Sequence, residues 1–596
     1  MNPSKPITFM KLRNYIFILA MAGLYAACDD YTDLKPIDSI TDASYWTSPN
    51  DLKLYANGLY GLLSIPNPDL DTESDNFVST NYSPYLFNES TVPEEGSSNN
   101  GWYWDDIRSC NYFLTRYSKV QGNASEINKY VGEVRFFRAL LYFEKIKKFG
   151  DVPWYDKDLQ TSDTTELYKA RDSRDVVLGH VIDDLQFAVR WLPEKTQSES
   201  GRINKDAART ELARIALYYG TYKKYHHETS SGTWTSEALL HLAKAQTDTI
   251  MDSGRYDIVK GTDAGCSQQA YEGYPLYYSD QFTQEDLSNN KECILARFYK
   301  TDVLTHELGR QVQEHGAGLS KDFAESFLMK NGMPIYNAGS GYKGDEDLDD
   351  ELDGRDPRMY QIIDNNHRPY YVRNGERVHN ELSNTVGSSK GVTGYECVKF
   401  HAADTKQQEA RNSSYDWFVY RYAEVLLINA EANAESGTCT QTVLDKTINK
   451  LRDRVEMTHL TVNPVADARP VDYGYAVSPL LYEIRRERRI ELIAEGFRMD
   501  DLKRWNAMKL LENPKTMFGI RITPTVISQF PANTFTGSAP RPSIKYDGKT
   551  YLYQYAASKA LDDAGRKWTQ DDRRWLYPIP TQELTLNRKL VQNPNW

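Results

Sequence analysis

Charged side chains recur on one face of a predicted helix at residues 482–505. Arg488, Glu491 and Glu495 follow one another at helical spacing, which places one cation and two carboxylates on the same side. Such a set is either a functional carboxylate–cation group or an internal lattice of ion pairs that fixes how helices pack. We interpret it as a lattice. Gly496 is expected to end this helix, because glycine adopts the positive φ of a C′ position without strain.

Three short segments resemble catalytic motifs, and each lacks a feature that the chemistry requires. The GSSKG at 387–391 fits GxSxG, but no clear strand precedes it and no helix follows, as a nucleophile elbow needs. The HE at 306–307 lacks the second histidine of an HExxH zinc site, since Arg310 stands there. The GxGxxG at 339–344 is followed by an acidic run that would repel a pyrophosphate. A glycoside hydrolase or lyase stays the enzymatic alternative, because a glycosidase needs only two carboxylates about 5 to 10 Å apart.

The acidic run GDEDLDDELDGRD at 344–356 offers the oxygen ligands that calcium prefers. Counted from Asp345, however, the sixth position is Asp350, where the EF-hand loop requires glycine. We therefore predict a solvated acidic loop and no cofactor, with calcium as the one ion that the pattern leaves open. The spacing of the cysteines likewise matches no zinc or iron–sulfur pattern.

Tyrosine and tryptophan are frequent, with 42 Tyr and 11 Trp against 20 Phe. Their rings offer an apolar face for stacking on a sugar and a polar edge for hydrogen bonding, whereas Asp, Asn, Gln and Arg bond sugar hydroxyls. Two predicted loops combine these residue types. The candidate glycan-binding residues are Asp75, Asn76, Asn81, Tyr82, Tyr85, Trp102 and Trp104 in the first loop, and Tyr274, Tyr277, Tyr278, Gln281 and Arg297 in the second. Trp102 or Trp104 is the preferred stacking platform; the alternative is that these rings only cover the helical core.

Helices dominate the elements that would carry these loops. After a first helix that begins at Asp51, the pattern predicts helices at 126–149, 174–191, 204–220, 236–253, 415–436 and 441–456. A strand is indicated at 294–298, and long irregular loops at about 64–104 and 256–414. Alanine and tyrosine at the helix contacts are similar to tetratricopeptide pairs, although no fixed repeat of about 34 residues is visible. The predicted fold is mainly α, a tetratricopeptide-like helix-pair scaffold with long irregular loops and a few short strands.

The N-terminus has the layout of a lipoprotein signal peptide at 1–27. A basic region precedes an apolar stretch of 13 residues, which is too short to span a bilayer. Cys28 follows directly and is the predicted site of lipid attachment, although Tyr25 stands where leucine is usual. Several acyl chains on this cysteine would anchor the protein stably to a membrane. The acidic Asp29 and Asp30 that follow are similar to surface-export signals of lipoproteins, so we expect an outer-membrane position facing outward. We expect an acylated tether at 28–50 and a single domain at 51–596.

The net charge argues against nucleic acid as a partner. The whole chain carries −12, and loss of the three basic residues of the signal peptide lowers this to −15. A surface of this sign repels phosphate backbones and anionic lipid headgroups. No apolar run of 18 residues follows the N-terminal region, so we predict that the mature chain does not span the membrane.

Seven segments carry a resemblance to a known family. They are Leu34-Lys35-Pro36, Tyr45-Trp46, VRFFRALLYFEKIKKFGDVPWY at 134–155, LMKNGMPI at 328–335, DGRDPRMY at 353–360, YEIRRERRIELIAEGFRMDDLKRW at 482–505 and YPIPTQELTLNRKLVQNPNW at 577–596. In this order they resemble the SusD/RagB family of outer-membrane glycan-binding lipoproteins of Bacteroidetes. The matches extend from about residue 34 to the C-terminus.

This resemblance implies a SusD-like helical fold that binds oligosaccharides or polysaccharides on the cell surface without catalysis. It also implies a SusC-like TonB-dependent transporter as partner, to which the glycan would be delivered. The glycan site would lie on loops that project from one side of the scaffold, and both candidate loops are plausible contributors. The alternatives are a surface glycoside hydrolase or lyase, and a structural or peptide-binding relative.

Overall fold

A computed structural model describes residues 45–229, 232–260, 278–366, 369–373, 376–387 and 391–596. In chain order its α-helices are α1 Pro49–Leu59, α2 Asp105–Leu114, α3 Ala124–Phe149, α4 Thr164–Leu167, α5 Arg174–Trp191, α6 Lys205–Tyr225, α7 Ser236–Asp252, α8 Leu308–Gln311, α9 Lys321–Ser326, α10 Leu348–Leu352, α11 Pro357–Ile362, α12 Tyr422–Glu435, α13 Gln441–Lys446, α14 Ile448–Arg454, α15 Pro479–Glu491, α16 Arg498–Arg504, α17 Pro524–Ser528 and α18 Thr581–Leu586. The strands are β1 Phe77–Ser79, β2 Cys293–Arg297, β3 Ala317–Leu319, β4 Tyr371–Arg373, β5 Glu376–Val378, β6 Trp417–Arg421, β7 Ser543–Tyr546 and β8 Lys549–Leu552. The prediction of a mainly helical fold with a few short strands is confirmed.

The long helices α3, α5, α6 and α7 begin after side chains that accept hydrogen bonds from the first helical turn. Asn123, Ser173, Asn204 and Thr235 occupy these cap positions, in that order. Each supplies an acceptor for N–H groups that have no partner within the helix. Gly150 ends α3 with a φ of 71°, which glycine adopts at no steric cost. Local sequence therefore determines where these helices begin and where α3 ends.

The long helices pack in pairs. α3 contacts α5, and α6 contacts α7, which also contacts α12. Glycine allows a close approach of α6 and α7, because a Cβ on Gly220 would lie only 3.1 Å from the side chain of Leu240. At Gly132 of α3 an added Cβ would make an ordinary contact, 3.5 Å from the Cα of Ala188 on α5. These pairs form the largest apolar core, which is the scaffold beneath the loops.

Two-stranded antiparallel sheets join the long loops to one another and to this scaffold. β1 pairs with β3, with Phe77 opposite Leu319, and β2 pairs with β6 directly before α12. The loops also bury apolar side chains of their own, in one cluster around Phe323 and Ile493 and in another around Trp505. No helix in the described ranges is both long enough and apolar enough to cross a bilayer.

Three of the predicted helices differ from the structure, two of them between residues 415 and 456. The helix predicted at 415–436 begins at Tyr422, because Trp417–Arg421 forms strand β6 and pairs with β2. The helix predicted at 441–456 is divided at Thr447, whose φ of −125° and ψ of −92° break the helical path. In both cases a tertiary contact or a local backbone turn overrides a helical side-chain pattern.

The predicted helix at 482–505 ends earlier than expected. α15 ends at Glu491, and Asp71 then accepts hydrogen bonds from the backbone N–H groups of Ala494 (2.7 Å) and Arg498 (3.2 Å). Gly496 does have the positive φ expected of it, 86°, but it lies inside this turn rather than at the helix end. Burial raises the pKa of Asp71 to about 7, against the two backbone hydrogen bonds that lower it. A side chain far away in sequence thus fixes the turn between α15 and α16.

Candidate functional site

The charged face of α15 is buried and fully engaged in ion pairs. Glu491 lies 2.6 Å from Arg454, 2.8 Å from Arg421 and 3.1 Å from Arg358. Burial alone would raise the pKa of Glu491, but these three arginines outweigh burial and hold it well below its usual range. Arg421 also lies 2.6 Å from Glu495. The interpretation of this helix as an ion-pair lattice is confirmed.

The lattice also anchors the start of the first candidate loop. Both carboxylate oxygens of Asp75 accept hydrogen bonds from Arg498 at 2.7 Å, and the Asn76 amide oxygen accepts one from Arg489 at 2.8 Å. Burial opposes ionisation of Asp75, yet Arg489 and Arg498 lower its pKa to about 2. Neither Asp75 nor Asn76 is open to a ligand in this structure.

Three further candidates point into the protein. The Tyr85 hydroxyl donates to the Arg574 carbonyl at 2.6 Å, and its ring stacks on Tyr577 with centroids 5.1 Å apart. Tyr278 donates to the Glu491 carbonyl at 2.5 Å. Gln281 is completely buried behind it. For these three residues the structure matches the alternative reading, in which rings and amides under the loops support the core.

Asn81, Tyr82 and Arg297 remain at or near the surface. Tyr82 is half-buried against Phe87, with ring centroids 5.2 Å apart, and the Lys559 ammonium lies 4.2 Å from its ring centroid. Asn81 is exposed beside it and lines a small cavity of about 190 Å³. Arg297 is half-buried on β2 and donates to the Leu63 carbonyl at 3.3 Å, apart from the other two. Tyr274, Tyr277 and Cys28 lie outside the described residues.

Trp102 and Trp104, the preferred platform, line a cavity of about 410 Å³. Trp102 is buried, with its ring edge-on to Phe149 at 4.9 Å and to Trp104 at 5.5 Å. Trp104 is half-buried and stands edge-on to Tyr155, with ring centroids 5.6 Å apart at an angle of 74°. The two half-buried rings therefore form adjoining walls of one cavity, which we call the Trp104–Tyr155 pocket.

Both walls of this pocket are fixed by neighbouring elements. Trp104 immediately precedes α2, and its carbonyl accepts the N–H of Arg108 at 2.9 Å. Tyr155 follows the turn after α3, where its carbonyl accepts from the Asn111 amide at 2.8 Å and its N–H donates to the Tyr142 hydroxyl at 2.7 Å. A binding surface on fixed backbone loses little conformational freedom when a ligand arrives.

A buried lysine supports the segment that carries the tryptophans. The Lys145 ammonium donates to the carbonyls of Gly101 (2.8 Å) and Tyr103 (2.5 Å), and it lies 5.2 Å from the Trp104 ring centroid. Burial lowers the pKa of Lys145 to about 8. The lysine therefore joins α3 directly to the platform.

Hydrogen-bonding side chains surround the rings. Arg108, Lys157 and Gln160 are exposed at the rim, and Glu583 reaches the cavity from α18. Burial raises the pKa of Glu583, while a hydrogen bond from Trp102 opposes this shift. The pocket thus combines aromatic faces with donors and an acceptor, as sugar recognition requires.

Tyr155 and these polar residues were missed by the sequence analysis. Tyr155 lies in the segment at 134–155, whose pattern indicates the family but not the site. Gly150 and Pro153 mark the chain reversal after α3, and that reversal brings Tyr155 next to the start of α2. Gly150 and Pro153 can be read from the sequence, but only the packing of α2 against α3 shows that Tyr155 lies beside Trp104.

The acidic and histidine side chains of the described residues are dispersed or paired with cations. None of their His, Cys, Asp and Glu side chains form a group of three or more that could hold a metal ion. In the acidic run at 344–356, Asp345 lies 2.8 Å from Lys549 and 3.1 Å from Lys321. Asp347 instead caps α10, by accepting from the Asp350 N–H at 2.9 Å. Residues 388–390 of the GxSxG segment lie outside the described ranges.

Comparison with known proteins identifies the fold and the family. The model of the SusD family matches residues 297–596, and a second model, described as starch-binding associating with outer membrane, matches residues 50–217. "SusD-like protein P2" of Formosa agariphila is 23% identical over 607 aligned residues, which cover 98% of this chain and 99% of that protein. A "SusD-like protein" of Bacteroides ovatus is 23% identical over 494 residues, covering 79% and 81%.

Solved structures show the same fold. A SusD-like protein from Bacteroides fragilis superimposes with a TM-score of 0.66 at 22% identity, over 94% of this chain and all of that one. A SusD-like carbohydrate binding protein from the same species gives a TM-score of 0.64 at 21% identity, over 92% of this chain. At this identity the likeness shows the fold, and the family model, which matches half of the chain, shows the family. The protein belongs to the SusD family.

Proposed function

We propose that this protein binds oligosaccharides or polysaccharides at the cell surface without cleaving them, and delivers them to a TonB-dependent transporter of the outer membrane. Family membership supports the general role, and the description of one related structure as a carbohydrate binding protein agrees with it. The transporter partner and the lipid anchor at Cys28 are parts of the same proposal.

The observation that carries the proposal is the Trp104–Tyr155 pocket. Two half-buried rings meet at its wall, and Arg108, Gln160 and Glu583 lie around them. Each ring can contribute stacking on the order of 1 kcal/mol. A few such contacts give weak and reversible binding, which suits capture followed by transfer.

Incubation with a panel of polysaccharides separates this function from its alternatives. Retardation of the protein in gels that contain the polysaccharide, without release of new reducing ends or unsaturated products, supports binding alone. Release of products would make the protein a glycoside hydrolase or lyase. Neither retardation nor product would leave the structural or peptide-binding role.

Replacement of Trp104 by alanine tests the pocket. W104A removes one stacking face and leaves the scaffold in place, so we expect a loss of affinity for the retarding glycan of about tenfold. Affinity gel electrophoresis over a series of glycan concentrations measures it. W234A is a matched control, because Trp234 is also a half-buried loop tryptophan but does not line the pocket.

The small surface around Tyr82 is the competing location, and Y82A tests it in the same assay. If Y82A abolishes retardation while W104A leaves it unchanged, the glycan binds at Asn81 and Tyr82 and the Trp104–Tyr155 pocket is not the site. Thermal unfolding of each variant excludes a general loss of structure as the cause.

A further inference from the structure

A second cavity, of about 470 Å³, lies along α15 and shares no lining residue with the Trp104–Tyr155 pocket. Tyr482, Arg485, Arg486 and Arg489 line it at helical spacing from one face of the helix. Glu491 is directed instead to the buried lattice. The helix therefore serves the scaffold with one face and forms a cavity wall with another.

The side chains that line this cavity are more basic than the chain as a whole. Seven of them are arginine or lysine and five are aspartate or glutamate, a surplus of two positive charges. The whole chain has 71 basic and 83 acidic residues. A local positive region in an acidic protein attracts anions that the remaining surface repels.

The cations at the inner wall are held in place by acids. Arg489 lies 2.8 Å from Asp322, and Arg498 lies 2.7 Å from Asp75. Arg485 shares its partner Glu435, at 3.1 Å, with Lys224, which lies 2.7 Å from the same carboxylate. Arg486, in contrast, faces two carboxylates, Asp467 and Glu483, so the inner cations are compensated within the protein.

The cations at the rim are available to a ligand. Arg469 is exposed, with its guanidinium 4.4 Å from the ring centroid of Tyr336, and no carboxylate in the described ranges lies within ion-pair distance of it. Lys509 lies 2.6 Å from Asp472, but both side chains are about half exposed or more. An exposed pair of this kind is weak, so Lys509 can exchange Asp472 for an anionic ligand at little cost.

We propose that this cavity binds an acidic sugar, through a carboxylate or sulfate group placed between Arg469 and Lys509. Arginine and lysine recognise both groups, arginine with two parallel hydrogen bonds. The half-buried rings of Tyr336 and Tyr482 also line this cavity, with Arg469 over one ring and Arg486 over the other, and would contact the sugar ring itself. This site is independent of the pocket at Trp104, and its ligand class goes beyond the general glycan binding proposed above.

Binding of matched ligands tests the proposal with the full mature chain. Isothermal titration with tetragalacturonate and with its methyl ester compares the same sugar with and without the negative charge. A sulfated galactose oligosaccharide and its desulfated form make the second arm, which distinguishes sulfate from carboxylate as the group recognised. We expect one acidic member to bind, its neutral form not to bind, and binding to weaken as salt concentration rises.

The variants R469A and K509A should each weaken binding of that acidic ligand by about tenfold. R190A is the matched control, because Arg190 is also an exposed arginine beside an aromatic ring, Trp191, but lies outside the cavity. W104A should leave acidic binding unchanged, which separates this site from the proposed function. Equal binding of the charged and neutral forms, no binding of either acid, or an equal loss in R190A would overturn the proposal.

Discussion

His306 is held neutral by its surroundings. Its Nε2–H donates to the Tyr415 carbonyl at 2.8 Å, and Nδ1 accepts the Leu308 N–H at 3.2 Å. The ring also stands edge-on to Tyr299 and Tyr415. Protonation of Nδ1 would require the loss of the hydrogen bond from Leu308. Burial lowers the pKa of His306 to about 4, although the bond to Tyr415 and the Glu307 charge act in the opposite direction.

This predicts that His306 makes the fold sensitive to acid. Between pH 6.5 and 4 the unfolded chain binds a proton that the folded chain does not, so stability falls as the pH falls through this window. The expected share of His306 is about 1 to 2 kcal/mol at pH 5, reduced for the partial exposure of the ring. Urea unfolding at pH 7 and pH 5 measures it, and H306Q should reduce the difference between the two pH values by that amount.

The parent protein, measured at the same two pH values, is the reference for this experiment. Other buried groups titrate in the same range, including His226, whose pKa burial also lowers to about 4. Only the difference between variant and parent therefore reports on His306. An unchanged pH dependence in H306Q would contradict the assignment.

At the scale of elements, the lattice beneath α15 explains how loops distant in sequence are held. Glu491 joins α15 to α11 through Arg358, to β6 through Arg421 and to α14 through Arg454. Arg489 and Arg498 then fasten the loop at Asp75. Buried ion pairs add little net stability, but they specify one geometry when every charge is compensated.

Loss of the central carboxylate of the lattice, Glu491, should strongly reduce the stability of the fold. E491Q leaves three buried arginines without their shared anion, and we expect a loss of about 3 to 5 kcal/mol in the free energy of unfolding. Denaturant unfolding at pH 7 measures the loss. D183N is a suitable control, because Asp183 is exposed on α5 and its loss should cost at most about 0.5 kcal/mol. Similar losses in both variants would contradict a structural role for the lattice.

At the scale of the whole molecule, the proposed function requires that the protein be held at a membrane surface. We propose that acylation of Cys28 provides this attachment. The predicted charge of −15 after processing would keep the domain away from anionic headgroups.

Replacement of Cys28 tests this attachment. In cells that produce the full chain, C28A should move the protein from the outer-membrane fraction to the soluble fraction, because the acyl chains would have no attachment site. Fractionation followed by immunoblotting measures the shift, and C439A is the control for a cysteine inside the domain. Membrane association that persists in C28A would indicate a different anchor, for example a bound partner protein.

The sequence by itself determined the features that depend on residues close together in the chain, such as helix ends and helical faces. Asn123 and Gly150 mark the ends of α3, and the helical spacing of Arg488, Glu491 and Glu495 predicts an ion-pair lattice. Cap side chains and glycine act over a few residues, so their effect can be predicted from local pattern.

Tertiary structure decided which side chains face solvent. Asp75 and Trp104 occur in one loop of similar composition, yet Asp75 is enclosed by Arg489 and Arg498, which are more than 400 residues away, while Trp104 borders a cavity. Strand β6 and the turn at Ala494 likewise depend on β2 and Asp71, not on their own residues. Burial and ion pairing are properties of the assembled chain, because the partners meet only when the helices pack. The sequence therefore predicts a set of aromatic residues, whereas the tertiary structure places the candidate site in one pocket, formed where α2 meets the turn after α3.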